Sequence, residues 1–217
     1  MSLSYGDTRD ALDNRKDFLG GLGIDYRRLV CCQQVHGSVV RYVREADAGK
    51  GALVYSESLP ATDGLITDKK NLPLAVFTAD CLSVFFYDSR IPAIGLIHAG
   101  WRSSRENICM KTVRLMRETF KSEPRDLTAA FSPAIRDCCY EVGEEFNDFF
   151  PYGVKSKNGR YYLDLIGINK RELLDSGVPE GNIRDSGDCT FCRSDEFFSF
   201  RKEGSSCGRM MSVAMLK

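Results

Sequence analysis

Three apolar runs that follow one another closely dominate the middle of this chain: residues 72–81 (LPLAVFTADC), 82–88 (LSVFFYD) and 92–99 (PAIGLIHA). All three are rich in β-branched and aromatic residues, and Asp88-Ser89-Arg90 breaks the sequence between the second and third. Runs of this length and composition predict buried, mostly antiparallel strands. The apolar faces of buried strands must pack against other elements, so the sequence predicts one α+β domain, residues 1–217, with strands inside and helices outside.

Shorter patterns flank these runs. Helices are predicted at 8–19 (capped by Asp7 or Thr8 and ended by Gly20-Gly21), 103–120, 141–150 and 163–177. Strands are predicted at 29–35, 38–43, 127–133, 182–187, 197–200 and 209–216, with a loop and a short strand within 46–58 and a loop at 152–160.

The charge balance points away from polyanionic partners. Thirty lysine and arginine residues balance thirty aspartate and glutamate residues, so neither nucleic acid nor an anionic membrane is expected as the main partner. No apolar run reaches the roughly 18 residues that a membrane span requires. We expect a small-molecule substrate, and a homodimer is left open.

Cysteine usage bears on the compartment. The chain has nine cysteines, an odd number, and its first residues lack the basic start and apolar stretch of a secretory signal. Unpaired cysteines are typical of a reducing environment, which favours the cytoplasm.

Histidine is scarce, and its two positions are informative. His36 and His98 both lie at the ends of strand-like runs, and Cys81 ends the run between them. Imidazole and thiolate are ligands that zinc favours, and catalytic zinc commonly keeps three protein ligands with one open position. Separations of 45 and 17 residues exclude a finger-type loop and suit ligands gathered from separate strand ends. The ordinary alternative is a hydrogen-bonded core histidine beside an inert cysteine.

A series of motifs carries a family resemblance. QVHG, TDGLIT, TADCL and HAGWR occur in this order, followed by SPAI…CCYEVG, LDL…N…L…GV, a CT pair and FFSFRK. From about Gly6 to the C-terminus the chain resembles the laccase-like polyphenol oxidoreductase family, whose members are similar to zinc-dependent purine nucleoside phosphorylases with adenosine deaminase activity. The resemblance implies a four-layer α-β-β-α sandwich with mixed, mostly antiparallel sheets. It also implies zinc ligands at His36, Cys81 and His98.

Two departures from the family pattern stand out. Ser103 follows HAGWR where glycine is usual, which predicts a stiffer or more crowded pocket rim. The usual N-terminal strand and Thr-Arg-x-Gly-Gly segment are not present in this sequence. If the arginine of that segment binds substrate in relatives, this protein has lost it or replaced it, or the sequence is a truncated or differently started version.

Residues beside the three ligands are candidates for catalysis and substrate binding. Asp80 is a candidate for proton transfer or for supporting a ligand, and Arg102 for holding phosphate, with a salt-bridged strand end as the alternative for each. Gln34 could orient His36 or contact a base, or be merely solvated. Arg201 is a candidate anion contact.

Three further features are weighed against simpler explanations. Asp63 is expected to form an Asx turn with Gly64. Trp101 could stack on a purine, although packing is the simpler role. Cys189 and Cys192 have metal-site spacing, and a second metal would draw on Cys138, Cys139 and Cys207. The resemblance covers only the Cys189-Thr190 pair, so Cys192 is expected to be incidental and no second metal is predicted.

Four functions compete. The first is a zinc-dependent purine nucleoside enzyme that phosphorolyses adenosine, inosine, guanosine or methylthioadenosine and deaminates adenosine. The second, copper-dependent polyphenol oxidation, needs roughly ten histidines, so Cu(II) is expected only as an adventitious substitute supporting a side activity. The third is a hydrolase or muropeptide-precursor editing enzyme with Cys81 as nucleophile and His98 as base. The fourth is a metal-stabilised binding protein, disfavoured because structural zinc normally has four ligands.

Overall fold

The computed structural model describes residues 1–4 and 6–217 of the chain. The helices of this part are α1 (Thr8–Gly21), α2 (Trp101–Arg105), α3 (Ile108–Phe120), α4 (Phe146–Phe149), α5 (Leu165–Asp175) and α6 (Phe200–Glu203). The strands are β1 (Val30–Cys31), β2 (Val40–Tyr42), β3 (Gly64–Thr67), β4 (Leu74–Thr78), β5 (Leu82–Asp88), β6 (Ala93–Ala99), β7 (Leu127–Phe131), β8 (Glu141–Val142), β9 (Val154–Lys157), β10 (Arg160–Leu163), β11 (Ile183–Asp185) and β12 (Met210–Ala214).

The strands form one large and two small sheets. The large sheet has the order β11-β7-β5-β6-β3-β2, and the small ones have the orders β1-β4-β12 and β8-β10-β9. Antiparallel pairs predominate, and β1–β4, β2–β3 and β7–β11 are parallel, as predicted for a mixed sheet system. The three apolar runs of the sequence become β4, at the centre of a small sheet, and the neighbours β5 and β6 in the large one.

Alternating side chains show how the layers stack. On β4, Leu74 and Val76 pack in the cluster that also holds Leu96 of β6, between the two sheets. Ala75 of β4 packs instead with Leu19 of α1, on the outer face of the small sheet. A strand sends successive side chains to opposite faces, so β4 is covered on both.

The opposite face of the large sheet packs against helices. Ile97 of β6 and Val84 of β5 share a buried cluster with Met116 of α3 and Leu173 of α5. The order of layers is therefore α1, small sheet, large sheet, and α3 with α5. This confirms the expected α-β-β-α sandwich.

The chain crosses from one sheet to the other between β4 and β5. Strand β4 ends at Thr78 and β5 begins at Leu82, so residues 79–81 span the crossing. Asp80 has a φ of 80°, a left-handed conformation that aspartate tolerates better than most residues. The crossing brings Asp80 and Cys81 to a rim where both sheets end.

Two predicted elements are divided in the structure. The helix predicted at 103–120 is split into α2 and α3, because Asn107 adopts a left-handed φ of 59° between them. The helix predicted at 141–150 is wrong for its first half, because Glu141 and Val142 form strand β8 and residues 143–145 are neither helix nor strand; only the four residues of α4 are helical.

Three further predictions are wrong. The loop predicted at 152–160 is a hairpin of β9 and β10, and its Asn158-Gly159 turn has positive φ at both residues, a typical hairpin signal. The strand predicted within 46–58 is absent from these described residues, which contain 3₁₀ turns, and the next strand is β3. The segment 197–200 is not a strand, because α6 begins at Phe200 and the Glu203 carboxylate accepts the Ser199 N–H at its start.

No helix in the described part of the chain combines the length and the apolar character needed to cross a bilayer.

A buried glutamate joins α5 to the start of α3. Glu172 is 6% exposed, and its Oε2 accepts hydrogen bonds from the N–H groups of Cys109 (3.0 Å) and Met110 (3.4 Å). Its Oε1 has no partner among the described residues. Burial raises the pKa of Glu172 to about 8, against the opposing effect of the two backbone donors.

This raised pKa makes a stability prediction with a defined sign. The folded state binds the proton of Glu172 more tightly than the unfolded state does, so protonated Glu172 favours folding. This contribution to the free energy of unfolding is complete below the pKa of an unfolded glutamate and is lost as pH rises through about 8. Glu172→Gln stays neutral, so the variant should gain stability relative to wild type between about pH 5 and about pH 8. Urea unfolding across this range measures the difference. Glu118→Gln, on an exposed part of α3, is the control, and a pH-independent difference for Glu172→Gln would contradict the prediction.

Candidate metal centre

His36, Cys81 and His98 converge at the rim where the chain crosses between the sheets. Their ligand atoms all lie within 4.8 Å of one another, and the two imidazole rings meet edge to face with centroids 4.7 Å apart. His98 belongs to β6, Cys81 to the crossing before β5, and His36 to the loop before β2. Two imidazoles and one thiol at this spacing fit a borderline-soft ion such as zinc.

A buried carboxylate organises both histidines. Asp63 is 0% exposed, and its Oδ1 lies 2.8 Å from Nδ1 of His98. The same carboxylate accepts three consecutive backbone N–H groups, from Val35 (3.1 Å), His36 (3.0 Å) and Gly37 (2.8 Å). Because Nδ1 of His98 is engaged, its Nε2 is left for an ion.

The Asx turn predicted for Asp63 and Gly64 is wrong. Gly64 is the first residue of β3, and the Asp63 carboxylate reaches back to a turn nearly thirty residues earlier in the chain. That turn contains His36 in a left-handed conformation, with a φ of 59°. Three N–H groups directed at one anion form a nest, which stabilises this uncommon backbone at the candidate site.

The glycine of HAGWR, Gly100, lies in close contact with two of the candidate ligands. A Cβ at Gly100 would lie 3.1 Å from the Cys81 Sγ and 3.1 Å from the His36 Cδ2. Any larger residue would therefore press directly on two of the three candidate ligands.

The charge states of the three groups are coupled. Burial by itself would raise the pKa of Cys81, but His98 and His36 lower it to about 6. Burial would lower the pKa of His98, whereas Cys81 and Asp63 raise it to about 9. Near neutral pH the metal-free site therefore favours a thiolate beside an imidazolium, which must lose its proton when an ion binds.

The three side chains open into a cavity of about 530 Å³, a size typical of small-molecule sites. Its walls include all four of the further site residues predicted from sequence, together with several aromatic side chains: Gln34, Phe77, Asp80, Trp101, Arg102, Tyr140, Phe200 and Arg201. Ser103 is fully buried and is not part of this lining, so the expected crowding of the rim is not observed.

Asp80 is held rigidly at the cavity wall. It is 8% exposed, its Oδ1 accepts the Thr190 hydroxyl at 2.7 Å, and its Oδ2 accepts the Arg201 N–H at 2.6 Å. The salt-bridged strand end considered for Asp80 is not what the structure contains. A carboxylate fixed by two neutral donors keeps lone pairs for a further proton or hydrogen bond.

Arg102 and Trp101 form a cationic and aromatic wall. The guanidinium carbon of Arg102 lies 4.2 Å from the centre of the Trp101 ring, and no carboxylate of the described residues forms an ion pair with it. Trp101 packs against Phe146 and Phe149, with ring centroids at 5.1 and 6.1 Å. The indole therefore has a packing role on one side and borders the cavity on another.

Arg201 and Gln34 are partly engaged by backbone groups. The Arg201 Nη1 donates to the Glu141 carbonyl at 2.7 Å. The Gln34 amide donates to the Phe77 carbonyl and accepts the Phe77 N–H, both at 2.8 Å. Gln34 is thus half-buried, and its amide extends the hydrogen bonding of β4 instead of orienting His36.

Two residues at the cavity were not selected from the sequence. Thr190 holds Asp80, and Tyr140 lines the wall. Burial, followed by the nearby Cys81, raises the pKa of Tyr140, which keeps the phenol protonated as a neutral donor. Their membership of the CCYEVG and CT motifs was the available signal, but neither motif specifies which residue faces the cavity.

The nest around Asp63 predicts an effect on metal affinity. Asp63→Asn removes the negative charge and directs an amide N–H towards backbone donors, so both histidines should lose their orientation. Zinc affinity should fall about 10- to 100-fold, as is typical when a ligand-orienting carboxylate is lost. Competition with a chromophoric chelator measures the affinity.

Asp88→Asn is the matched control. Asp88 is also 0% exposed and accepts two backbone N–H groups, from Arg90 and Ile91, at the opposite end of β5. Equal losses of zinc affinity in the two variants would show that general destabilisation, rather than Asp63, is responsible.

Comparisons with known proteins agree with this architecture. The family described as multi-copper polyphenol oxidoreductase laccase matches residues 1–217. The chain is 36% identical to purine nucleoside phosphorylase YlmD of Geobacillus stearothermophilus, covering 98% of this chain and 81% of that protein. It is 30% identical to adenosine deaminase RL5 of an unknown prokaryotic organism, covering 94% and 80% respectively. The crystal structure of Bacillus licheniformis hypothetical protein YfiH is similar with a TM-score of 0.94 at 35% identity, covering 97% of this chain and 82% of that one. The chain therefore belongs to the multi-copper polyphenol oxidoreductase laccase family.

Proposed function

We propose that this protein is a zinc-dependent purine nucleoside enzyme that phosphorolyses adenosine, inosine, guanosine or methylthioadenosine and deaminates adenosine. The observation that carries the proposal is the convergence of His36, Cys81 and His98 at the wall of a cavity lined by aromatic and cationic side chains. The names of the relatives, purine nucleoside phosphorylase and adenosine deaminase, support the same reaction class.

The donor set suits zinc in a catalytic role. A zinc ion held by three protein ligands has one coordination position left for water or substrate. The ion would supply Lewis acidity, which polarises a substrate oxygen or activates water. Two histidines are too few for multicopper chemistry, so Cu(II) in this site would support phenol oxidation only as a side activity.

The surrounding residues have separable roles in this proposal. Trp101 offers an aromatic surface for a purine, and the neutral phenol of Tyr140 is placed to donate a hydrogen bond to the base or sugar. Asp80, held by Thr190 and by the backbone of Arg201, accepts or delivers a proton.

We assign phosphate binding to Arg102. Its guanidinium borders the cavity, has no carboxylate partner among the described residues, and presents a planar fork that matches phosphate oxygens. Arg201 is a weaker candidate for this role, because its Nη1 already donates to the Glu141 carbonyl.

A Cys–His hydrolase, including one that edits muropeptide precursors, remains the second candidate. In this reaction Cys81, whose pKa is lowered to about 6, would be the nucleophile and His98 its base. The Asp63 carboxylate would orient His98 through its contact with Nδ1. Stoichiometric zinc separates the two proposals, because a thiolate bound to zinc is a poor free nucleophile.

Replacing Cys81 tests the metal-dependent proposal. Cys81→Ala should lose the zinc of this site and all nucleoside turnover while remaining folded, because Cys81 lies on the crossing between the sheets and belongs to none of the three buried apolar clusters. Adenosine, inosine and methylthioadenosine are supplied with and without phosphate, and chromatography identifies free base, sugar phosphate or deaminated nucleoside. Cys109→Ala, a buried cysteine against α5, is the control. Full turnover by Cys81→Ala would refute the proposal.

Arg102 and Arg105 provide a matched pair for the phosphate site. Both lie on α2 with a guanidinium against an aromatic ring, but only Arg102 lines the cavity of the metal centre. Arg102→Ala should raise the KM for phosphate about tenfold or more, because one charge-assisted contact is lost. The rate of adenosine deamination, which uses no phosphate, should change much less. Arg105→Ala should leave both unchanged. An equal loss of phosphorolysis and deamination in Arg102→Ala would contradict a phosphate-specific role.

A further inference from the structure

We propose that Cys138, Cys139, Cys189 and Cys192 bind a second metal ion, a zinc with four thiolate ligands and a structural role. Their four sulfur atoms all lie within 4.8 Å of one another, although the two pairs are about fifty residues apart in the chain. The sequence predicts an incidental Cys192 and no second metal, whereas the structure places the Cys192 sulfur beside those of the other three cysteines.

The sulfur spacing fits a tetrahedral ion. Zinc–sulfur bonds of about 2.3 Å place neighbouring sulfurs about 3.8 Å apart in a tetrahedron. The Cys192 Sγ lies 3.8 Å from that of Cys138 and 3.3 Å from that of Cys139. All four cysteines are free thiols, and their separations exceed by far the S–S bond of about 2.05 Å.

The number and exposure of the thiols favour an ion over a disulfide. One disulfide engages two sulfurs, whereas here Cys192 contacts two others and Cys189 completes the group. Cys138 and Cys192 are exposed, so without an ion these clustered thiols would be open to oxidation. Four thiolates saturate zinc, which is typical of a closed structural site rather than a catalytic one.

Backbone hydrogen bonds hold the two loops together and preform the site. The Thr190 N–H donates to the Ala134 carbonyl at 3.1 Å, beside a parallel bridge between Ala134 and Cys189. The Arg193 N–H donates to the Cys189 carbonyl at 3.0 Å, which closes the turn around the C-x-x-C pair. Cys207, the remaining cysteine considered for a second metal, is buried and lies outside the four-sulfur group.

Both loops also support the cavity wall. Thr190, next to Cys189, donates to the Asp80 carboxylate, and the Ile135 N–H donates to the Asp80 carbonyl at 2.9 Å. Tyr140 follows Cys139 directly and lines the cavity. An ion that joins the two loops would therefore stabilise the positions of Asp80 and Tyr140 without touching substrate.

Metal counting on the intact protein tests this site. Protein is purified under reducing conditions with zinc, and its metal content is measured by mass spectrometry. Wild type should carry two equivalents of zinc per chain, Cys192→Ser and Cys81→Ser one each, and the double variant none. Cys207→Ser, the control, should carry two. Cys139→Ser is a second variant in case Cys192→Ser does not fold.

Cobalt identifies the ligands of the remaining ion. Cys81→Ser protein loaded with Co(II) should show thiolate-to-metal charge-transfer absorption and the intense visible bands of a tetrahedral thiolate site, and Cys81→Ser/Cys192→Ser should lack both. Zinc-loaded Cys192→Ser should also melt roughly 5 °C or more below wild type.

Several outcomes would overturn the proposal. They are a single zinc equivalent in wild type that Cys192→Ser retains, no metal in Cys81→Ser, or two equivalents retained in folded Cys192→Ser. Loss of nucleoside turnover with both equivalents of zinc present would bear on the proposed function and leave this second site intact.

Discussion

The hydrogen bonds of the buried Asp63 carboxylate are the constraint on which the candidate metal centre depends. One anion joins the turn of residues 35–37 to His98 on β6, so it sets the position of both imidazoles at once. A carboxylate with 0% exposure is tolerated only because four donors compensate its lost hydration. The left-handed backbone of His36 persists for the same reason, since the nest formed around the anion holds it.

The sandwich supplies the remaining parts of the site. Strand β4 lies in a small sheet and β5 in the large one, so the short crossing between them reaches the rim where the loops of both sheets meet. Cys81 and Asp80 lie on that crossing, one directed at the histidines and the other held by Thr190 and the backbone of Arg201. Rigid strands on both sides reduce the freedom of these side chains, which favours a preorganised ligand set.

Two groups of candidate metal ligands differ in chemistry and in the role proposed for each. The group of two histidines and one cysteine faces a cavity of about 530 Å³ and has an open side, whereas the four-cysteine group joins two loops and has a full set of ligands. Asp80 connects them, because it precedes Cys81 in the chain and accepts a hydrogen bond from the residue that follows Cys189. If both groups bind zinc as proposed, substrate chemistry and loop stability depend on separate ions.

The amino-acid sequence predicted the central strands and the three candidate ligands. The apolar runs at 72–99 predicted the central strands, and the scarcity of histidine, together with the motifs around it, singled out His36, Cys81 and His98. The Asn158-Gly159 turn is also a local signal, and it favours the observed hairpin over the loop predicted at 152–160. Two contacts became evident from the three-dimensional structure alone: Asp63 supports the turn at His36, and Cys138 and Cys139 meet Cys189 and Cys192. Periodicity and turn chemistry are properties of neighbouring residues, whereas these contacts join distant segments through strand register and loop packing.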